Sequence, residues 1–129
     1  MIPEDLSYTD QHEWIRVEGK VAAVGISHYG QDALGDVTFV ELPVVGKVLA
    51  KGEEACAIES AKAAVSVYAP ASGKVVAANE QLEDDPGLVN SSPYGEGWIY
   101  RIELSDPGEL ASLMDAAAYA TFLAGQEEH

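Results

Sequence analysis

Up to Leu104 the chain alternates apolar and polar residues in short runs, and glycine, proline and acidic clusters cut these runs apart. Residues 14–17 and 21–27 flank Glu18-Gly19-Lys20 and predict a hairpin. Residues 37–42 predict a third strand, ended by Pro43. Residues 55–59, 64–69 and 74–78 follow as strands, punctuated by Pro70 and Gly73. The cleanest alternation spans residues 98–104, with Trp98, Tyr100, Ile102 and Leu104 on one face and Arg101 and Glu103 on the other. Many short strands with frequent turns predict a mainly β fold, an antiparallel sandwich or flattened barrel.

Helical patterning is sparser. Residues 29–34, stopped by Gly35, predict a short internal helix. Asp106-Pro107-Gly108-Glu109 has the order of a helix start, with an acid at the N-cap, proline at the first turn and glutamate behind it. Leu110, Leu113 and Met114 then supply an i, i+3, i+4 apolar face. Asp115 is placed to cap a last helix whose stripe is Tyr119, Phe122 and Leu123, and residues 126–129 are expected to fray. A β core over about 7–104 is thus followed by a helical segment over about 106–124. No linker separates them, so the 129 residues read as one domain.

An internal repeat singles out one lysine. The octapeptide GKVLAKGE at residues 46–53 recurs as GKVVAANE at residues 73–80, identical at five of eight positions. Lys62 falls almost on the midpoint between the copies, between the strand-like runs 55–58 and 65–68. That places it at the tip of a hairpin joining two related halves of a sheet. A lysine in a turn is ordinarily a solvated charge. The special position favours a second reading, in which the amine is a substrate for a modifying enzyme, with small neighbours Ala61 and Ala63 leaving it open. Schiff-base catalysis would need burial or an adjacent cation to lower the lysine pKa, and the flanking alanines and acids offer neither.

Charge and composition exclude several classes. With 22 acidic and 7 basic side chains the formal charge is −15, which repels nucleic acid and anionic lipid surfaces. No apolar run approaches the ~20 residues of a membrane span. The N-terminal sequence lacks the basic start of a secretion signal and the arginines of a transit peptide, so a cytoplasmic location is expected, although a mature organellar form would look similar. Cys56 is the sole cysteine, which rules out an internal disulfide or a cysteine metal cluster and reads as a small core residue. His12 and His28 lack companion ligands, and no metal is expected.

Several segments together carry a family resemblance: YTDQHEW at residues 8–14, VGI at 24–26, ALGD at 33–36, FVELP at 39–43, ESAKA at 59–63, APASG at 69–73 and NSSPYGEGW at 90–98. Over about residues 7–123 the chain resembles the H proteins of the glycine cleavage system, which are lipoyl carriers. The resemblance implies a lipoyl/biotinyl-type β fold and lipoate joined to Lys62 through an amide. It implies that Glu59 and Gly73 help the lipoylating enzyme select that lysine; Glu59 also reads as a solvated strand-end acid, and Gly73 as a residue the turn requires. It further implies a carrier without catalysis of its own, serving three enzymes. These are a pyridoxal-phosphate glycine decarboxylase, an aminomethyltransferase using tetrahydrofolate, and a flavin-dependent dihydrolipoamide dehydrogenase.

A cleft that protects the loaded aminomethyl arm is implied as well, with Glu13, His12 and Ser66 as its expected residues. Glu13 either holds the aminomethyl ammonium or is an exposed acid beside a buried Trp14. Ser66 stands where many family members have an acid, so a charge contact there gives way to a hydroxyl. A biotinyl domain, or the lipoyl domain of a 2-oxoacid dehydrogenase, is the alternative carrier. Biotin acceptors resemble one another in flanking the lysine with methionine, where this chain has alanine. A small hydrolase is a further alternative, but no serine–histidine–acid set or nucleophile elbow is present.

Overall fold

The structure is a computed structural model and describes residues 2–127. Its elements in chain order are β1 (Ser7–Tyr8), β2 (Glu13–Glu18), β3 (Val21–Ile26), α1 (His28–Leu34), β4 (Val37–Glu41), β5 (Val48–Leu49), β6 (Glu54–Ser60) and β7 (Ala64–Tyr68). Then come β8 (Gly73–Ala78), α2 (Gln81–Asp84), α3 (Leu88–Ser91), β9 (Tyr100–Leu104), a 3-10 helix (Pro107–Ser112) and α4 (Ala116–Glu127). The strands form two antiparallel sheets, one in the order β1-β2-β3-β9-β8-β5 and one in the order β4-β6-β7. Neither sheet closes on the other, so of the two expected forms the sandwich is realised and the barrel is not.

Period-two alternation builds the core between the sheets. Tyr100, Ile102 and Leu104 on β9 face Val40, Ile58 and Val67 of the smaller sheet, in one buried cluster with Ile15, Val24 and Val75. Each fully buried aliphatic side chain contributes about 1.5–3 kcal/mol relative to exposure. The alternation expected from Trp98 does not hold at its start. Ile99 is buried, Trp98 is half-buried, and the strand begins at Tyr100. Asn79 is the reason: its Nδ2 donates to the carbonyls of Glu96 and Trp98, both at 2.7 Å, and holds that segment off the strand path.

The larger sheet buries its second face under α4. Tyr119 stacks on Tyr8 with ring centroids 4.4 Å apart, inside a smaller cluster with Leu6, Trp14 and Ala23. The expected cap is present, since Asp115 Oδ1 accepts from Ala118 N at 2.8 Å. Asp106 likewise accepts from Gly108 N, yet the helix it starts is 3-10 and ends at Ser112. The α-helical face expected of Leu110, Leu113 and Met114 therefore does not form. Met114 is instead drawn into a β-bridge with Tyr8, with N–H···O distances of 2.8 and 2.9 Å, and the chain must extend at Leu113 to reach it. The helix α4 runs on through Glu127, where fraying was expected; residues 128–129 of that expectation lie outside the described residues.

The repeat has a structural meaning different from the one its symmetry suggested. The two copies pair with each other as β5 and β8, Val48 opposite Lys74 and Leu49 opposite Gly73. Gly46 N donates to Val75 O and Val75 N to Lys47 O, so the copies run antiparallel around a local two-fold. They belong to the six-stranded sheet, whereas the hairpin of Lys62 belongs to the three-stranded one.

Candidate functional site

Strands β6 and β7 form the hairpin that carries Lys62, with Glu59 opposite Ala64 as the last paired residues. Ser60 closes the tip: its N–H donates to Ala63 O at 2.8 Å, and its Oγ accepts from Ala63 N at 3.1 Å and Lys62 N at 3.4 Å. Ala61, Lys62 and Ala63 are all exposed, so no bulky neighbour screens the amine. The tip rests on the loop between α1 and β4, where Ala61 N donates to Asp36 O at 3.3 Å. The lysine stem lies over Gly35. A methyl group there would meet Lys62 Cε at 3.2 Å, and Gly35 has φ 78°, a conformation that glycine alone adopts freely.

A cleft of about 610 Å³ opens at the other end of β7, bordered by Thr9, Glu13, Lys51, Tyr68, Leu113 and Phe122 among others. Glu13 is only 2 % exposed, which excludes the reading of a surface acid. Its Oε1 accepts from the Thr9 hydroxyl at 2.7 Å and its Oε2 from Tyr68 N at 2.9 Å. Burial pushes the Glu13 carboxyl pKa up, the two hydrogen bonds oppose that shift, and the nearby charge of Asp10 adds to it. The site is a buried carboxylate with a donor on each oxygen, suited to receiving an ammonium.

The other expected residues fall in different places. Ser66 is half-buried on β7, on the same strand face as Ala64 and Tyr68, between the lysine tip and the Glu13 end. The strand from Ala64 to Tyr68 covers roughly 13 Å. Glu59 is exposed beside the hairpin tip, opposite Phe39 on β4. Gly73 lies apart from the tip, between Leu49 and Leu104, with the backbone oxygen of Glu103 2.2 Å from where a Cβ would stand. Close packing therefore accounts for this glycine.

His12 does not border the cleft as expected. It has φ 68°, and its ring turns toward Tyr29 and Tyr119, behind Phe122. With its proton on Nε2, the ring accepts at Nδ1 from the Tyr119 hydroxyl at 2.8 Å, while Ser27 Oγ lies 2.6 Å from the same hydroxyl. Burial lowers the His12 pKa below 6.5. The unfolded chain thus binds this proton first, so stability falls as pH drops through 6.5 toward the folded-state value. His12→Asn keeps a residue that tolerates positive φ and removes the titration. Between pH 7.5 and 5.5 the wild-type melting temperature is expected to fall more than that of His12→Asn; parallel curves would count against this latch.

Two contributors escaped the sequence reading. Thr9 was visible in principle, because a threonine whose Oγ accepts from Gln11 N and Glu13 N makes a local turn recognisable in T-x-x-x-E. Tyr68 acts through its backbone N–H, which leaves no trace in its identity.

The family model described as Glycine cleavage H-protein matches residues 6–126. The glycine cleavage system H protein of Symbiobacterium thermophilum is 55% identical over 121 residues, 94% of each chain. That of Xanthobacter autotrophicus is 58% identical over 116 residues, 90% of this chain and 93% of the relative. The crystal structure of a glycine cleavage system H protein from Mycobacterium marinum superposes with a TM-score of 0.88 at 39% identity, covering 95% of this chain and 99% of that one. The chain belongs to the glycine cleavage H-protein family.

Proposed function

We propose that this chain is the lipoyl carrier of glycine cleavage, a non-catalytic component working in the cytoplasm, with Lys62 as the attachment site. The observation that carries the reading is the Lys62 amine, exposed at a hairpin crest between two alanines in a chain of this family. An open amine on a narrow tip suits insertion into the active site of a lipoylating enzyme and then into those of successive partners. Those partners are glycine decarboxylase, aminomethyltransferase and dihydrolipoamide dehydrogenase. When bound, lipoate supplies a disulfide that takes up the one-carbon amine unit of glycine and afterwards needs reoxidation.

The chain's own residues do the rest. The tether keeps the arm at high effective concentration near each active site. Ala64, Ser66 and Tyr68 offer one strand face leading from Lys62 toward the cleft. Glu13 holds an ammonium that reaches it and keeps it from water. Glu59, exposed beside the tip, is the side chain available for the lipoylating enzyme to read.

Intact mass and peptide mapping after expression with lipoate test the assignment. One lipoyl group on the Lys62 peptide is expected; a biotin adduct, or modification elsewhere, would overturn it. Glu13→Gln tests the cleft. Removing the charge on a hydrogen-bonded carboxylate weakens its hold on a cation by about 1.5–3 kcal/mol, so the loaded carrier is expected to lose its ammonium roughly tenfold faster or more. Lipoylation of the variant should be unaffected. Stability should not suffer, because the raised pKa means the fold favours the neutral form. That stability is present below the ordinary carboxyl pKa and is lost as pH rises through the folded value. An unchanged release rate would remove Glu13 from the site.

A further inference from the structure

We infer that Asn90, on the short helix α3, is a positioning residue for Lys62, setting the loop on which the hairpin tip rests. The inference builds on the reading that Lys62 bears the lipoyl arm. One side-chain amide holds both flanks of Asp36. Asn90 Oδ1 accepts from Val37 N at 2.8 Å, and its Nδ2 donates to Gly35 O at 2.9 Å and to Gln31 Oε1 at 2.9 Å. Between those two anchors, Asp36 O receives the N–H of Ala61, and Gly35 lies under the Lys62 stem. The path from α3 to the lysine therefore runs through the Asn90 amide, then the backbone at 35–37, then the tip.

Two local features make the loop dependent on this support. Gly35 has φ 78° and ψ −161°, a region open to glycine and closed to other residues, so its own wide conformational freedom does not fix the loop's course. The register between β4 and β6 shifts between Val37 and Phe39, so ladder pairing is irregular where the loop enters the sheet. Asn90 supplies the acceptor for Val37 N at that irregularity. Its oxygen and both amide protons are thereby engaged with one short stretch of chain, α1 through the start of β4.

Without the amide, the tip spends only part of its time in the seated geometry. A partner that recognises the seated tip then binds with an apparent constant raised by the inverse of the seated fraction, while the chemical step is unaltered. The expected signature is a raised KM with an unchanged kcat, which general destabilisation of a still-folded protein does not produce.

The test uses full-length Asn90→Ala and the near-isosteric Asn90→Asp, which keeps the acceptor for Val37 N and loses both donors. Asn79→Ala is the control, since it removes three side-chain hydrogen bonds, to residues 81, 96 and 98, none of them in the tip or its supporting loop. Amide exchange of residues 61–64, normalised to that of β9, is expected to rise about tenfold in both Asn90 variants and not in Asn79→Ala. KM for the lipoylating enzyme is expected to rise by a similar factor at constant kcat. If Asn90→Ala does not fold, Asn90→Asp carries the test. Tip exchange at the wild-type level in a folded Asn90 variant would overturn the inference. Absence of lipoylation on wild-type Lys62 would instead overturn the carrier reading and leave the exchange result to judge the brace.

Discussion

Lys62→Arg is expected to abolish glycine-dependent carbon dioxide exchange with the decarboxylase, down to the level of an assay without carrier, while leaving the fold intact. The guanidinium keeps the positive charge but offers no amine able to form the lipoyl amide. The position is exposed and its backbone conformation is fixed by Ser60, whose bonds to the backbone of Lys62 and Ala63 do not involve the lysine side chain. Surface substitutions of this kind change stability by no more than about 0.5 kcal/mol. Three measurements on one preparation check the claim: melting temperature, intact mass after expression with lipoate, and exchange activity. Activity surviving in a folded, unlipoylated Lys62→Arg protein would remove the arm from this residue and the carrier reading with it.

The hairpin that presents Lys62 was legible because its strands are two local, largely apolar runs separated by a short stretch of small residues. The caps at Asp106 and Asp115 were legible for the same reason, since a capping side chain bonds a backbone amide two or three residues away. Elements too short to show a period were missed: β1 and β5 have two residues each, and α2 and α3 four. Long-range pairings decided the rest. The carboxylate of Glu13 accepts from the backbone N–H of Tyr68, 55 residues away, and the ring of His12 is claimed by Tyr119, 107 residues away. Local sequence therefore left Glu13 open between two readings and put His12 in a cleft it does not border. The repeat shows the same limit in another form. Its symmetry was real, but which strands the copies pair with depends on the sheet as a whole.

Gly73→Ala is expected to produce the largest loss of stability among the site residues, and the reason separates its two roles. Its Cβ would stand 2.2 Å from the backbone oxygen of Glu103 and 2.8 Å from Ile102 Cγ1. A side chain could swing aside, but the Glu103 carbonyl is fixed in the pairing of β8 with β9, where Lys74 lies opposite Glu103 and Gly73 opposite Leu104. Relief requires the two strands to part, and β8 is also the partner that anchors β5. Overpacking of this severity costs about 3 kcal/mol or more, which for a chain of this size lowers the melting temperature by roughly 10 °C or more. Thermal melting followed by circular dichroism checks the figure, and a change of only a degree or two would show that the strands tolerate a methyl there. If the loss appears, poor lipoylation of Gly73→Ala at growth temperature reflects a smaller folded population. Measured well below the melting point, the folded fraction should then be lipoylated at the wild-type rate, because Gly73 presents no side chain to an enzyme and its neighbours are β5 and β9, not the lysine tip.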